Sequence, residues 1–500
     1  MRRSAADFHP PHPARNRWIP AGFLRFALRR GRLRDDNPHV NRSLQSQPSE
    51  SVRISEVLAA LSFALDLTEG QPLGHSLRTG LIGLELANRL DLSLFDRRDL
   101  YYALLLKDAG CSSSSARLFE LFGGNQRLVQ HELARLDWGN YFKAARYCLE
   151  HAAPDATWWS RARRAAGLAR VGHRAAGELV ETRCRRSAEI VTMLGFGPRA
   201  AEAVGSLEEH WDGSGHPRGL SGQEIPMLSR ILCLAQMLEV TAAASGPRAA
   251  VDFARRRSGR WFDPVLVKAC AGLEPLLGEW RTLDENELRD AVREAEPGGA
   301  ALLAGPGAMD RIARGFAEVV DAKSPFTSQH SVRMAEVSVR IAGQLGFDHA
   351  GRGQVLRAAL LHDIGKLSVP NSILDKPGPL TAGEWETVRM HPYYTLRILG
   401  HIRGFESLAE IAASHHERLD GRGYFRGLRG EEIPLEAQIL ATADIYDALT
   451  TSRPYRPALP EDVALRLMER DRGHGLMGEC LDALAAVTTG EPDTELRAAA

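Results

Sequence analysis

The chain has 500 residues, 44% apolar and 25% charged, the balance of an ordinary globular chain long enough for two to four packed domains. Its 63 basic residues, all but six of them Arg, are matched by 63 acidic ones, so no overall field argues for a nucleic-acid polymer or an anionic membrane as partner. Six scattered Cys (111, 148, 184, 233, 270 and 480) without a C-x-x-C pair suit free thiols in a reducing compartment better than a disulfide scaffold or a zinc ribbon, and with no apolar run read as a membrane span and no signal-peptide pattern the expected location is the cytoplasm.

Residues 1–50 are rich in Arg and Pro with little periodicity and are expected to be a weakly structured extension. From Arg53 apolar residues recur at helical spacing: Ile54, Val57, Leu58 and Leu61, then a helix from His75, a third over Asp99 to Leu106, and further helices after the Ser112–Ser115 break. Helices are expected over Ala201–Glu209 and Pro226–Val240, on either side of a turn-rich loop at Trp211–Pro217. A Gly/Pro-rich stretch, 296–308, reads as a linker. Helices resume over Arg311–Val320, His330–Leu345, Gln354–His362, a segment through Met390 opened by the Thr381/Glu384 capping box, Leu408–His416, Leu435–Leu449 and Pro460–Arg470, before a frayed tail at 490–500. Almost no stretch alternates as a strand would, so the fold class is all-α.

The two halves repeat. Gly74-His75-Ser76 answers Gln329-His330-Ser331, Lys107-Asp108 answers His362-Asp363, and Glu224-Ile225-Pro226 answers Glu432-Ile433-Pro434. His75 and Lys107 are 32 positions apart, as are His330 and His362; Arg183 and Gln236 are 53 apart, as are His391 and Asp444. Between these blocks the first copy is 47 residues longer. Several motifs in one register imply duplication. The expected organisation is a first domain over 51–295 with a helical insertion within about 112–182, the linker, and a second domain over 309–489.

Comparing the copies separates fold from chemistry. Turn glycines and apolar positions persist, whereas His362, Lys366, His391, His415, His416 and Asp444 face Lys107, Cys111, Arg183, Leu207, Glu208 and Gln236. Residues that vanish as a block share one purpose. The set His330, His362, Asp363, His391, His415, His416 and Asp444 offers five imidazoles and two carboxylates, enough for two divalent metals if one carboxylate bridges, and its lack of thiolate favours Fe or Mn over structural zinc. Paired metals polarise a phosphoryl group and acidify water. Lys366 would then stabilise charge on the phosphate, and Asp447, one turn after Asp444, would orient the attacking water or Lys366.

The residues His362-Asp363-Ile364-Gly365-Lys366, His415-His416-Glu417-Arg418-Leu419-Asp420-Gly421-Arg422-Gly423-Tyr424, Glu432-Ile433-Pro434 and Ala443-Asp444-Ile445-Tyr446-Asp447-Ala448-Leu449-Thr450 resemble the HD-GYP domain of the HD phosphohydrolases. The resemblance covers roughly Ala308–Val487, and Val52–Leu273 is similar to a degenerate form of the same domain. It implies tandem HD-type helical bundles and a cyclic di-GMP phosphodiesterase. In that family's terms the seven residues are metal ligands, Asp363, Lys366 and Asp447 serve catalysis, and Tyr424, Arg453 and Arg456 contact substrate. Phe425 stands where the family's signature has Pro, and Phe326 stands where three-metal members have an acid, so two metals are expected. Another nucleotide substrate, or a non-catalytic cyclic di-GMP receptor, are the alternatives. The first half is expected to pack on the second, or to mediate self-association as a homodimer, ligand-gated control or contact with a regulatory partner protein.

Overall fold

A computed structural model of the chain describes residues 52–114, 177–298, 302–303, 305–324, 327, 329–376, 378–452 and 457–489. The expected N-terminal extension, most of the expected insertion, Phe326, Arg453, Arg456 and the tail lie outside the described residues. Among the described residues there is no strand ladder, only isolated bridge pairs such as Asp212 with Ser221. The described residues fall in one compact unit.

In the first half the main helices are α1 (Ile54–Glu69), α2 (His75–Arg89), α3 (Leu94–Leu106), α4 (177–193), α5 (Pro198–Gly205), α6 (Met227–Ser245) and α7 (Glu285–Glu294). In the second they are α8 (Pro306–Asp321), α9 (His330–Gln344), α10 (His349–Leu361), α11 (Ala382–Arg389), α12 (His391–Leu399), α13 (Glu406–Ala413), α14 (Leu435–Thr450) and α15 (Gly478–Thr489). Helices α2 and α9 have 15 residues each, α3 and α10 have 13, and α5 and α13 have 8. The repeat read from spacing is thus repeated in element lengths.

Local chemistry fixes the element ends. Helix α3 starts at Leu94, five residues before the expected start, because the Ser93 side chain caps it by accepting from the Asp96 N–H. Helices α5 and α8 likewise start early, at Pro198 and Pro306, since proline at the first helical position loses no hydrogen bond the helix would have made. Helix α8 therefore begins inside the stretch read as linker. The Thr381/Glu384 capping box opens α11 as expected. In each half a buried Asp one turn-and-loop earlier clamps the start of the helix that follows: Asp66 accepts from Ser76 Oγ at 2.6 Å, and Asp321 from Ser331 Oγ at 2.7 Å.

Buried side chains from Val57 to Val487, through Leu61, Leu104, Phe316, Leu360 and Leu440, form one continuous apolar cluster across both halves. Contrary to the expectation that no run is long enough for a membrane span, helix α6 meets that length and composition, and most of it is buried in this core. Helix α1 of the first half packs on the second half's α12 and on the short 3-10 turn Ile364–Ser368 that follows α10. The side chain of Glu285 on α7 meets Arg397 at 3.0 Å and His401 at 2.9 Å. The five described cysteines are buried free thiols.

Candidate metal centre

The seven candidate ligands sit at helix ends and on one inward helix face. His330 opens α9, where Gln329 adopts φ 56°; the first half has Gly74 at φ 82° in the same place, and only glycine takes this left-handed conformation without cost. His362 caps α10 and Asp363 precedes the 3-10 turn. His391 opens α12, His415 and His416 follow α13, and Asp444 lies on α14.

Gly365 allows this junction to close. A Cβ there would lie 1.9 Å from the His391 carbonyl oxygen, so the 3-10 turn and the start of α12 are in backbone contact. Thr395 stitches them, its Oγ1 accepting from Gly365 N at 3.1 Å and donating to His362 O at 2.9 Å.

Four imidazoles are tied back through Nδ1. His362, His391 and His415 meet the carbonyls three residues earlier, Ala359 at 2.7 Å, Val388 at 2.7 Å and Ala412 at 2.6 Å, while His330 Nδ1 meets Asp447 Oδ2 at 2.7 Å. With Nδ1 committed to these partners, the four Nε2 atoms are turned to a common point. That point is Asp363. Its Oδ1 lies 3.3 Å from His391 Nε2 and 3.8 Å from His415 Nε2; its Oδ2 lies 3.2 Å from His362 Nε2 and 3.9 Å from His330 Nε2. Asp444 Oδ1 is 3.3 Å from His330 Nε2. Two ligand groups result, His330 with His362 and Asp444, and His391 with His415 and His416; within each, the donor atoms lie within 4.8 Å of one another. Asp363 stands between them with one oxygen toward each.

Burial and charge prepare this cluster for cations. Burial pushes the imidazolium forms of His391 and His415 far below their usual range and takes His416 down to about 4, leaving neutral nitrogen donors at pH 7. Burial works the other way on Asp363 and Asp444, yet neighbouring His362 and Lys366 hold the first ionised and the His330 hydrogen bond holds the second. For His330 burial opposes the charged form, but hydrogen bonds to Asp444 and Asp447 raise it to about 9. The buried His362 Nε2 and Asp363 Oδ1 make no hydrogen bond. Such atoms each cost roughly 1–3 kcal/mol when left unpaired, a cost that bound divalent cations would offset. The donor set fits a borderline divalent metal.

His416 and Asp444 are only partly buried, so the cluster opens on their side. Lys366 contacts Asp363 Oδ2 there and stays partly exposed. The Tyr424 ring leans on His416, with centroids 4.7 Å apart and planes at 32°. Phe425 packs edge-on to Tyr393 with centroids at 6.0 Å, and Arg426 lies over its ring. The buried Glu417 carboxylate fixes this loop by accepting from the N–H groups of Arg426, Gly427 and Leu428 at 2.8, 3.2 and 3.0 Å.

Asp447 departs from expectation. Its carboxylate accepts from Arg333 Nε at 2.7 Å and pairs with His330, so its oxygens are engaged by these two side chains. Arg333, Thr395 and Glu417 were not singled out from sequence. Their counterparts Arg78, Ser187 and Glu209 persist in the first half, so a comparison of copies assigns them to the fold; one available signal was that Arg333 lies one turn after His330 on the same helix face.

The first half keeps the frame with other chemistry. Gly110 N donates to Ser187 Oγ at 2.8 Å, as Gly365 does to Thr395. Buried Lys107, in the place of His362, sets its ammonium 3.2 Å from His75 Nε2 and against Asp108 Oδ2. Arg183, in the place of His391, pairs with Glu208, in the place of His416. Glu239 accepts from Arg78 Nε at 2.6 Å as Asp447 does from Arg333. Glu69, Asp108 and Cys111 also bring oxygen and sulfur atoms within 4.8 Å, beside Lys107.

A family model described as the HD domain matches residues 132–266 and 315–479. A 3'3'-cGAMP-specific phosphodiesterase (number 3) of Vibrio cholerae is 39% identical over 440 residues, 88% of this chain and 95% of that protein. The cyclic di-GMP phosphodiesterase response regulator RpfG of Xanthomonas campestris is 41% identical over 171 residues, 34% of this chain and 45% of that protein. Among solved structures, a cyclic GMP-AMP-specific phosphodiesterase of V. cholerae superposes with a TM-score of 0.60 at 36% identity, covering 89% of this chain and 99% of that one. With helices, ligand-type cluster and both sequence matches in agreement, the chain belongs to the HD-GYP family of metal-dependent HD-domain phosphodiesterases.

Proposed function

We propose that this phosphodiesterase hydrolyses a guanine-containing cyclic dinucleotide at a binuclear centre in its second half, held by His330, His362, Asp363, His391, His415, His416 and Asp444. The observation that carries this reading is Asp363, whose two oxygens each face a separate group of imidazoles. Two divalent cations, Fe or Mn on the donor set, would polarise the phosphodiester and acidify water. The protein's own residues do the rest. Asp447 holds His330 in orientation and Arg333 holds Asp447. Lys366 offers its ammonium at the open side, where charge grows on the phosphate oxygens. Tyr424 walls that side. Arg453 and Arg456 are assigned to substrate phosphate or guanine edges, which suit a planar guanidinium.

The sequence reading named cyclic di-GMP. A relative that aligns along both halves is named for 3'3'-cGAMP, whereas the cyclic di-GMP phosphodiesterases of Xanthomonas campestris and Thermotoga maritima align with 34% and 31% of the chain. We therefore put 3'3'-cGAMP first and cyclic di-GMP second. The first half we read as a copy whose metal site has been replaced by internal ion pairs and which supports the second. Incubating metal-loaded protein with each dinucleotide and separating products by chromatography tests the assignment. Turnover of 3'3'-cGAMP that is abolished in His362→Ala supports it; binding without turnover, or hydrolysis of neither, contradicts it.

A further inference from the structure

Helix α11 is unusual in having no buried residue, although it leads directly into the metal centre. Its last residue, Arg389, lies two positions before His391. The helix is held in place by polar contacts at its start: Thr381 and Glu384 form the capping box, and Lys376 Nζ reaches Glu384 at 2.6 Å. A short, exposed, well-anchored helix at the mouth of a site is a platform, and its outward side chains decide what it can receive.

Two of them suit a purine. The Arg389 guanidinium lies 5.5 Å over the Tyr424 ring, and Tyr424 leans on His416, so a continuous contact path runs from the metal cluster to the surface. One turn earlier on the same face, Trp385 is 48% exposed, the most exposed of the described tryptophans. A bare indole one helical turn from an exposed arginine offers an apolar face for stacking and a flat fork of N–H donors on the same helix.

We propose that Trp385 and Arg389 form a base-recognition subsite, Trp385 stacking on a guanine of the dinucleotide and Arg389 donating to its O6 and N7. Guanine presents two acceptors on that edge. Adenine presents an amino donor in place of O6, which faces the guanidinium donors unfavourably. The subsite therefore selects dinucleotides carrying at least one guanine, which both candidate substrates do. It deepens the cyclic-dinucleotide reading above and rests on it for the identity of the ligand.

The test uses the full-length, metal-loaded protein and measures kcat and KM for 3'3'-cGAMP, cyclic di-GMP and cyclic di-AMP. In Arg389→Ala and Arg389→Lys, the preference for cyclic di-GMP over cyclic di-AMP in kcat/KM is expected to fall by about 10- to 100-fold, mainly through KM. In Trp385→Ala, KM is expected to rise by about tenfold or more for every dinucleotide, with Trp385→Phe restoring most of the loss. Equal fold-changes on guanine and adenine substrates in Arg389→Ala, or an unchanged KM in Trp385→Ala, would overturn the subsite. If the wild-type protein turns over no dinucleotide, the substrate assignment falls separately. Binding of GMP and AMP then decides the subsite: a GMP preference that disappears in Arg389→Ala sustains it, and equal binding overturns it.

Discussion

Asp447 carries no ligand in this account, yet it controls one. Its carboxylate joins His330 Nδ1 to Arg333, and both contacts are 2.7 Å. Asp447→Asn keeps the shape but removes the charge that holds His330 and balances Arg333. Metal affinity is expected to fall about 10- to 100-fold, read by metal titration of the purified variant, with the helical content unchanged. A second residue-scale prediction concerns Asp66, whose burial raises its carboxyl to about 7 from an ordinary 3.8. The folded state thus holds a proton that the unfolded chain releases near pH 4. This group's contribution to stability is full below that pH and is lost as pH rises toward 7, by up to roughly 4 kcal/mol for a three-unit shift. Asp66→Asn should therefore gain stability relative to wild type between pH 4 and 7 in denaturant unfolding; a constant difference across that range would contradict the assignment. Residues of this second rank were the least legible in sequence. Five of the seven cluster residues stand out because their first-half counterparts differ, His330 and Asp363 being matched by His75 and Asp108, whereas Arg333 and Arg78 are the same residue and look like mere framework.

At the scale of elements, the site depends on how closely the 3-10 turn approaches α12. Gly365→Ala would bring a Cβ to 1.9 Å from the His391 carbonyl oxygen, and no side-chain rotation relieves a clash with backbone. The variant is expected to lose activity and metal and to be destabilised by about 1–3 kcal/mol or more. Gly110→Ala meets the Arg183 carbonyl oxygen at 2.2 Å, so it should be destabilised similarly while keeping its metal. Thermal unfolding alongside metal analysis of the pair separates packing from ligation. Helix existence was legible from apolar spacing for most of the longer helices, but α7, α12 and α15 were not anticipated. Helix starts were less so: α3, α5 and α8 begin before the apolar pattern does, because a Ser cap or an N1 proline sets the boundary by backbone hydrogen bonding, to which hydrophobic periodicity is blind.

For the whole molecule, the two halves share a core, and the first presses α1 against the elements that carry Lys366 and His391. What the first half puts at its own centre is a fixed cation, the Lys107 ammonium between His75 and Asp108. Lys107→Met leaves buried Asp108 and Glu69 without it and should destabilise the fold by about 3–5 kcal/mol, lowering Tm with metal content retained. The spacing arithmetic made the repeated motifs legible, but not the Lys107 ammonium beside His75 and Asp108, since which side chains touch is settled only by packing. The central claim is that metal binds through Asp363 in the second half and not in the first. Metal analysis of the loaded full-length chain, beside Asp363→Ala and Asp108→Ala, tests it most directly. Two ions per chain, lost in Asp363→Ala and kept in the folded fraction of Asp108→Ala, is the expected result; full retention of metal in Asp363→Ala would contradict it.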